Sequence, residues 1–329
     1  MTNIAVLGAT GLVGLEVIKI LEQRNFPAKE LFLFASEKSE GSKINFKDQA
    51  LEVLSDYETF IDKAAIVFGC LDEAPSREVV PRFREKAVVI DNSKAFRMDP
   101  DVPLVVPEIN PEKIKEHKGI IANPNCSTIQ MLLPLFPLHK EAQIKRIFVA
   151  TYQSVSGYGR DAVDELKLEL EYCATGQDIE KFEENIFPYP IADNIIPQIG
   201  AFNTDGYTSE EMKMLNETRK ILDDDSIHIT ATCVRIPIVC GHSEAVSVEF
   251  ENPISVDEAK EILQNAPGVK VLEEDENYPM PIHVVGKDDV FVGRVRRDLA
   301  FKNGLAMWIV ADNVRKGAAL NAVQIAELL

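Results

Sequence analysis

Short apolar segments alternate with amphipathic segments over the first hundred residues of the chain. Asn3 to Leu7 is an apolar run that predicts a strand. Apolar residues then recur at helical spacing, at Val13, Val17, Ile18 and Leu21. The same alternation continues in predicted strands at 31–35, 64–70 and 87–92 and in a helix-like stretch at 74–86. Alternating strands and helices predict an α/β fold with a doubly wound parallel sheet.

Strand patterns dominate the second half of the chain. They are rich in β-branched and aromatic residues and lie at 144–154, 227–231, 233–243, 244–250, 290–296 and 305–311. They predict a second, α+β domain with a mostly antiparallel sheet. Ser209 to Leu222 predicts a helix with Ser209 as its cap. A last helix, from about Ala318 to Leu328, is expected to return to the first domain.

Two segments of the second half do not read as strands. Residues 161–181 are helical in pattern and strongly acidic, whereas residues 187–198 are proline-rich and irregular. An irregular stretch inside a domain predicts an insertion that lies over the functional site or at a subunit interface. The sequence leaves both alternatives open.

Composition narrows the classes of partner. The chain has 329 residues and a formal net charge of −18, which disfavours nucleic acid and anionic membranes because the long-range field repels both. No apolar run reaches the roughly 18 residues of a membrane span, and no signal peptide is recognisable, so a cytoplasmic protein is expected. The 5 cysteines contain no Cys-x-x-Cys pair. They fit neither a disulfide framework nor a zinc site, and no metal is expected.

A glycine-rich turn links the first strand to the first helix, Gly8-Ala9-Thr10-Gly11-Leu12-Val13-Gly14. Such a turn lets the backbone approach a diphosphate, whose charge is then stabilised by the helix N-terminus. A purely structural turn is the alternative, but the position of the motif at the first strand favours a dinucleotide. After the second strand Ser36 stands where an NAD-specific fold usually has an acidic residue, and Lys38 and Ser39 suit the 2′-phosphate of NADP. A solvated polar turn would also explain that segment.

Cys126 is the strongest nucleophile candidate. It lies in Asn123-Pro124-Asn125-Cys126-Ser127-Thr128, where a polar loop gives way to the apolar run 129–135. This predicts that Cys126 is in the first turn of a helix, where free N–H groups stabilise a thiolate. The alternative is a small buried residue without a chemical role.

Four other motifs point to ligand binding. Arg97 follows a strand's carboxyl end, Arg235 needs an anionic partner within an apolar strand, and the loop 153–159 suits a nicotinamide or substrate contact. His242, which follows a glycine, is expected to be an exposed acid or base. The alternatives are a surface arginine, a structural histidine and a plain turn.

In their order and spacing these motifs resemble the aspartate-β-semialdehyde dehydrogenase family. The resemblance spans nearly the whole chain, through 8–14, 123–128, 153–157, 235–242 and 312–326. It implies a Rossmann-like NADP-binding domain at 1–126, completed by the C-terminal helix 313–329. It also implies a catalytic and dimerisation domain at 127–312, in a homodimer or homotetramer.

The resemblance implies a reaction and a role for each matched residue. The reaction is the reversible NADPH-dependent reduction of L-4-aspartyl phosphate to L-aspartate 4-semialdehyde and phosphate, in the biosynthesis of lysine, threonine and methionine. Cys126 would form a thioester, His242 would act as general acid and base, and Gln153 would orient the acyl group. The implied substrate contacts are Arg235 to the α-carboxylate, Glu210 to the α-ammonium, and Arg97, Lys213 and Asn125 to phosphate. The implied cofactor contacts are Gly8, Thr10, Gly11, Leu12, Val13, Lys38, Ser39, Ser156, Gly157 and Asn313.

Some positions depart from the family pattern. Lys38 replaces a common arginine, which weakens a bidentate grip on the 2′-phosphate and leaves NAD as a weaker alternative. Lys94 stands where serine is frequent, and the segment 70–73 replaces a small, glycine-rich turn. Two other functions remain open, an N-acetyl-glutamyl-phosphate reductase-like enzyme and a non-catalytic dinucleotide-binding homologue.

Overall fold

The fold consists of alternating strands and helices followed by a second, strand-rich region. A computed structural model describes residues 2–183, 186–272 and 277–329. The strands are β1 (Thr2–Leu7), β2 (Ala28–Phe34), β3 (Lys43–Phe46), β4 (Gln49–Leu54), β5 (Ile66–Gly69), β6 (Val88–Asp91), β7 (Ile120–Ala122), β8 (Ile144–Gln153), β9 (His228–Arg235), β10 (His242–Phe250), β11 (Val269–Leu272), β12 (Val290–Arg297) and β13 (Gly304–Ala311). The helices are α1 (Leu12–Gln23), α2 (Glu73–Phe83), α3 (Cys126–Ala142), α4 (Arg160–Ala174), α5 (Ser209–Leu222), α6 (Val256–Gln264), α7 (Pro281–Val284) and α8 (Leu320–Glu327).

The chain divides into two compact units. The first comprises Met1–Asn125 with Ala318–Leu329, and the second comprises Cys126–Gly317. Cys126 and Asn313 therefore belong to the second unit, whereas the family resemblance predicts both positions in the first domain. The division of function between domains stays a prediction.

The first unit has a sheet in the order β3-β4-β2-β1-β5-β6-β7. All of its pairs are parallel except β3 with β4, so the predicted doubly wound parallel sheet is confirmed. Helices α1 and α8 share one apolar core with the sheet, to which Val17, Leu21, Leu320 and Val323 contribute. The C-terminal helix is therefore an integral part of this unit.

The second unit has a sheet in the order β11-β12-β13-β10-β8-β9. The pairs β11–β12 and β8–β9 are parallel and the other three are antiparallel, which confirms a mostly antiparallel sheet. The predicted strands 227–231 and 233–243 are in fact one strand, β9, and a loop that ends where β10 begins. Helix α3 packs against this sheet through the buried apolar face that includes Ile129, Leu132 and Leu133.

Candidate active site

Several strand ends meet at one edge of the second sheet. Strands β8 and β9 are parallel and in register, so their last residues, Gln153 and Arg235, are direct neighbours. Strand β10 runs antiparallel to β8 and begins at this edge with His242, which lies opposite Ala311 at the end of β13. The topology thus brings together three candidates that are far apart in sequence.

Cys126 is the first residue of α3, as the sequence predicts. It is half-buried and belongs to no disulfide. Gly317 lies against it, since a Cβ atom built on Gly317 would be 2.8 Å from the Cys126 Cβ. A side chain at position 317 would therefore collide with the Cβ atom of Cys126. Activation of the thiol by the helix N-terminus stays a prediction.

His242 is fully buried, so the expectation of an exposed histidine is wrong. It shares the inward face of β10 with Val246, Val248 and Phe250, and neighbouring strands flank it on both sides. Burial, with the Arg235 charge acting in the same direction, lowers the pKa of His242 to about 3. Glu210 acts in the opposite direction. The imidazole is therefore neutral at physiological pH.

Hydrogen bonds define the tautomer of this neutral ring. The Ser154 backbone N–H donates to Nδ1 of His242 at 3.1 Å, so Nδ1 is the acceptor. The proton is then on Nε2, which lies 3.4 Å from the Gln153 amide nitrogen. The ring presents an N–H donor on the side of the Gln153 amide.

Arg235 is almost completely buried, with 3% of its surface exposed. Its Nη1 donates to the Ser154 carbonyl oxygen at 2.6 Å. Burial lowers the pKa of Arg235, while electrostatic interactions with the Glu210 and Cys126 side chains oppose that shift. The Glu210 carboxylate thus supplies the anionic surroundings that the sequence predicts for this guanidinium.

Gln153, Glu210 and Lys213 form a connected polar group. The Gln153 amide nitrogen donates to Oε1 of Glu210 at 3.2 Å, and its oxygen accepts from the Thr151 hydroxyl at 3.0 Å. Lys213 donates to Oε2 of Glu210 at 2.8 Å. Helix α5 therefore supplies a buried carboxylate and an ammonium group beside the Gln153 amide.

Ser156, Gly157 and Asn313 also lie at this edge. The Asn313 side-chain oxygen accepts from the Gly241 backbone N–H at 2.9 Å, and the Asn313 side-chain nitrogen donates to the Ser156 hydroxyl at 3.0 Å. A Cβ atom on Gly157 would lie 3.1 Å from Nη1 of Arg235 and 3.2 Å from Nε2 of His242. A larger residue at 157 would therefore press on both side chains.

Arg97 and Asn125 lie in the first unit. Arg97 is buried, and it donates to the Asn123 and Asn92 carbonyl oxygens, both at 2.9 Å. These carbonyls follow β7 and β6, so Arg97 holds two strand ends together. The interpretation of Arg97 as a surface arginine is thereby excluded. Asn125, also buried, immediately precedes Cys126 in the chain.

The remaining cofactor candidates surround the turns after β1 and β2. Gly8 has a φ of +78°, and a Cβ atom there would collide with the Cys70 carbonyl, so only glycine fits. Gly11 caps α1 without a side-chain hydrogen bond, and a Cβ atom on it would meet only the Gly8 oxygen at 3.4 Å. The Thr10 hydroxyl lies 3.4 Å from that of Ser39, which follows the exposed Lys38. This open glycine turn at a helix N-terminus fits a diphosphate.

Across the described ranges 2–183, 186–272 and 277–329, no group of three or more His, Cys, Asp or Glu side chains is placed to hold a metal ion. Within the same ranges, no helix has the length and apolarity needed to cross a membrane.

Two family models match the chain. Residues 3–117 match the NAD-binding domain of semialdehyde dehydrogenases, and residues 135–316 match their dimerisation domain. The aspartate-semialdehyde dehydrogenase of Aquifex aeolicus (strain VF5) is 53% identical over 336 residues, covering 99% of this chain and 97% of that protein. The chain belongs to the aspartate-semialdehyde dehydrogenase family.

Solved structures of aspartate-semialdehyde dehydrogenases share the fold. The enzyme II from Vibrio cholerae, complexed with ASA, is 46% identical with a TM-score of 0.97, covering 100% of this chain and 98% of that one. The Candida albicans enzyme, solved with NADP, is 26% identical with a TM-score of 0.75, covering 100% and 98%. The chain is thus an oxidoreductase with a nicotinamide-dinucleotide-binding domain and a dimerisation domain. The N-acetyl-glutamyl-phosphate reductase alternative is not favoured.

The structure adds two residues to the set matched to the aspartate-semialdehyde dehydrogenase family. Ser154 holds both His242 and Arg235, through its backbone N–H and its carbonyl oxygen. Gly317 leaves room for Cys126. The hydroxyl-rich run 154–156 indicates a functional position at Ser154. Nothing in the sequence indicates that Gly317 contacts Cys126.

Proposed function

We propose that this protein catalyses the reversible NADPH-dependent reduction of L-4-aspartyl phosphate to L-aspartate 4-semialdehyde and phosphate. The observation that carries the proposal is the arrangement of the second unit. A cysteine at a helix N-terminus interacts electrostatically with a buried arginine, and that arginine shares a sheet edge with a neutral histidine. These groups match a nucleophile, a carboxylate-binding residue and a proton donor. The reaction belongs to the biosynthesis of lysine, threonine and methionine.

Each charged group of the substrate has a counter-group in the proposed site. Arg235 binds the α-carboxylate, and Glu210 binds the α-ammonium. Lys213, Arg97 and Asn125 bind the phosphoryl group. The contact between Lys213 and Glu210 at 2.8 Å supports a site in which phosphate and ammonium are held by neighbouring side chains.

The chemistry proceeds through Cys126 in the biosynthetic direction. The thiolate attacks the acyl carbon, the C–O bond to phosphate breaks, and a thioester remains on the sulfur. NADPH, when bound, would supply the hydride that reduces this acyl group. His242 donates a hydrogen bond from Nε2–H to the acyl oxygen and exchanges protons as general acid and base, and Gln153 orients the acyl group. Expulsion of the Cys126 thiolate then releases the aldehyde.

NADP is the proposed cofactor, with NAD as a weaker alternative. Gly8, Thr10, Gly11, Leu12 and Val13 would surround the diphosphate. Lys38 and Ser39 would bind the 2′-phosphate, and Ser156, Gly157 and Asn313 would contact the nicotinamide. Lys38 is exposed and no carboxylate stands at Ser36, which supports the preference for NADP. The reaction needs no metal ion.

We further propose a homodimer or homotetramer in the cytoplasm. The match of residues 135–316 to a dimerisation domain supports self-association. The net charge of −18 supports a protein that avoids anionic membranes and nucleic acid.

An assay of aspartate semialdehyde oxidation tests the function. We expect NADP reduction that requires inorganic phosphate and is slower with NAD. Cys126→Ala should reduce turnover by at least about a thousandfold, because no other group forms the thioester. Cys173→Ala is the matched control, since Cys173 lies on α4 and has no role in the proposed site. Turnover that persists in Cys126→Ala would exclude covalent catalysis.

A further inference from the structure

The proline-rich segment 187–198 has no role in the reaction described so far. Together with Ile186 it forms what we call the strap, residues 186–198. In the structure the strap contains neither a helix nor a strand, and one isolated bridge pairs Ile196 with Arg235. The strap therefore meets the proposed carboxylate-binding residue.

Two buried carboxylates on α4 anchor the strap. Glu165 accepts a hydrogen bond from the Ile186 backbone N–H at 2.6 Å and another from the Phe187 backbone. Glu169 accepts from the Ile191 and Ala192 backbone N–H groups at 2.8 and 2.6 Å. Backbone donors bound to carboxylates give strong, directional hydrogen bonds. The path of the strap is thereby fixed at both ends of residues 187–191.

The strap contacts Arg235 through backbone and side chain. Ile196 and Arg235 exchange two backbone hydrogen bonds, at 2.9 and 3.0 Å. The Phe187 ring centroid lies 5.8 Å from the Arg235 guanidinium carbon. Phe187 is itself buried, and its ring packs against Tyr158 at 5.4 Å. The aromatic face next to the guanidinium therefore has a fixed position.

Few groups of the protein form hydrogen bonds with the Arg235 guanidinium, so the contact with the Phe187 ring matters for its position. Nη1 is held by Ser154, whereas the buried Nε has no hydrogen-bond partner among the described residues. A desolvated guanidinium is stabilised by the negative face of an aromatic ring, which leaves the donors in the guanidinium plane available. The edge that carries Nε can then bind a carboxylate.

We propose that Phe187 is a positioning residue that holds Arg235 ready for the α-carboxylate of the substrate. The inference rests on the proposed role of Arg235. The Phe187 ring and the Ser154 carbonyl together leave one edge of the Arg235 guanidinium for an anion. The strap would therefore contribute to the selection of substrates that carry a carboxylate.

Phe187→Met tests the proposal, since methionine preserves apolar volume and removes the aromatic ring. We expect the KM for aspartate semialdehyde to rise about tenfold while kcat changes less than about twofold. The value of kcat/KM for 3-aminopropanal, which lacks the carboxylate, should stay the same. Phe187→Tyr keeps the ring and should restore the KM.

Phe182→Leu is the control for loss of an aromatic ring, because the Phe182 ring packs on the Tyr172 ring of α4. It should leave the KM unchanged. The proposal is overturned if Phe187→Met leaves the KM for aspartate semialdehyde unchanged, or if both aldehydes lose activity equally. Circular dichroism of each variant identifies a folding defect. If Phe187→Met does not fold, the KM of Phe187→Tyr is compared with that of the wild type. An elevated KM in folded Phe187→Tyr also overturns the proposal.

Arg235→Lys separates this inference from the proposed function. If Arg235→Lys does not weaken the preference for the carboxylate-bearing aldehyde, the proposed role of Arg235 is wrong. If Arg235→Lys weakens it and Phe187→Met does not, only the role of Phe187 is wrong.

Discussion

At the residue scale, Glu244 has an unusual environment. It lies two residues after His242 on β10 and is fully buried. Both of its carboxyl oxygens lack a hydrogen-bond partner among the described residues. Burial raises the pKa of Glu244 well above its ordinary value. The side chain therefore keeps its proton to a higher pH in the folded protein than an exposed glutamate does.

Burial of Glu244 predicts a free energy of unfolding that falls as pH rises, and Glu244→Gln should remove this loss of stability. In the unfolded chain the carboxyl ionises above about pH 4.3, whereas the folded chain keeps its proton to higher pH. The free energy of unfolding should therefore fall as pH rises from about 4.3 towards the folded pKa. Glutamine does not titrate, so the stability of Glu244→Gln relative to wild type should increase over that range.

Urea unfolding at a series of pH values measures this difference. Glu261→Gln, at an exposed position on α6, makes the same chemical change without burial and should show no such trend. A constant difference between Glu244→Gln and wild type from pH 4.5 to 8 would mean that Glu244 is ionised in the folded state.

The apolar alternation of β10 explains the buried position of His242. Val246, Val248 and Phe250 define an inward face, and a period of two places 244 and 242 on the same face. His242 was expected to be exposed because it follows a glycine. The strand period, extended back to its first residue, predicts the buried position that the structure shows.

At the element scale, α5 begins with a capping box one residue earlier than expected. The Thr208 hydroxyl accepts from the Glu211 backbone N–H at 3.4 Å, and the Glu211 carboxylate accepts from the Thr208 backbone N–H at 2.6 Å. Ser209 is the first helical residue, so its assignment as the cap is wrong. Two adjacent hydroxyl residues satisfy the same sequence rule, and the backbone conformation at Thr208 decides between them.

These neighbours make a matched pair of variants. Thr208→Ala should lower the free energy of unfolding by about 1 kcal/mol, because an orphan N–H of α5 loses its acceptor. Thr208→Ser keeps the hydroxyl and should retain most of that stability. Ser209→Ala should have a smaller effect than Thr208→Ala in the same chemical denaturation experiment. A larger loss of stability in Ser209→Ala than in Thr208→Ala would mean that Ser209 is the cap.

Elements with strong periodicity were predictable, and elements set by distant contacts were not. Helix α1 and strand β8 follow from their own sequences. The antiparallel pair β3 and β4 was missed, since these strands are short, partly charged and lie at the edge of their sheet. The residues that hold Arg235 were missed for a similar reason. The Ser154 carbonyl and Phe187 reach it only after folding.

At the scale of the whole molecule, the second unit is one continuous segment inside the sequence of the first. It begins at Cys126 and ends at Gly317, and these two residues are in contact. Residues 318–329 complete the core of the first unit, where Leu320, Val323 and Ile325 are buried. When the two ends of an inserted segment are adjacent, the chain of the host domain can be joined directly after the segment is removed, with little strain.

Excision of 126–317 is therefore expected to leave a folding domain. A chain that joins residue 125 to residue 318 through a short glycine-serine linker should unfold cooperatively on heating. It should also bind NADP, as measured by calorimetry. Residues 1–125 alone lack the buried face of α8 and should not fold cooperatively. If the joined chain behaves like that shorter fragment, the first unit depends on the second for its stability.

The contact between Cys126 and Gly317 then marks a splice point in the enzyme. An exchange of the segment between these two residues would replace Arg235 and Glu210, the proposed contacts to the substrate carboxylate and ammonium, while the glycine turn after β1 kept its own sequence. Recombination at this junction offers a route to reductases with new acyl specificity, provided that each graft retains its own cysteine at the first position and a glycine at the last.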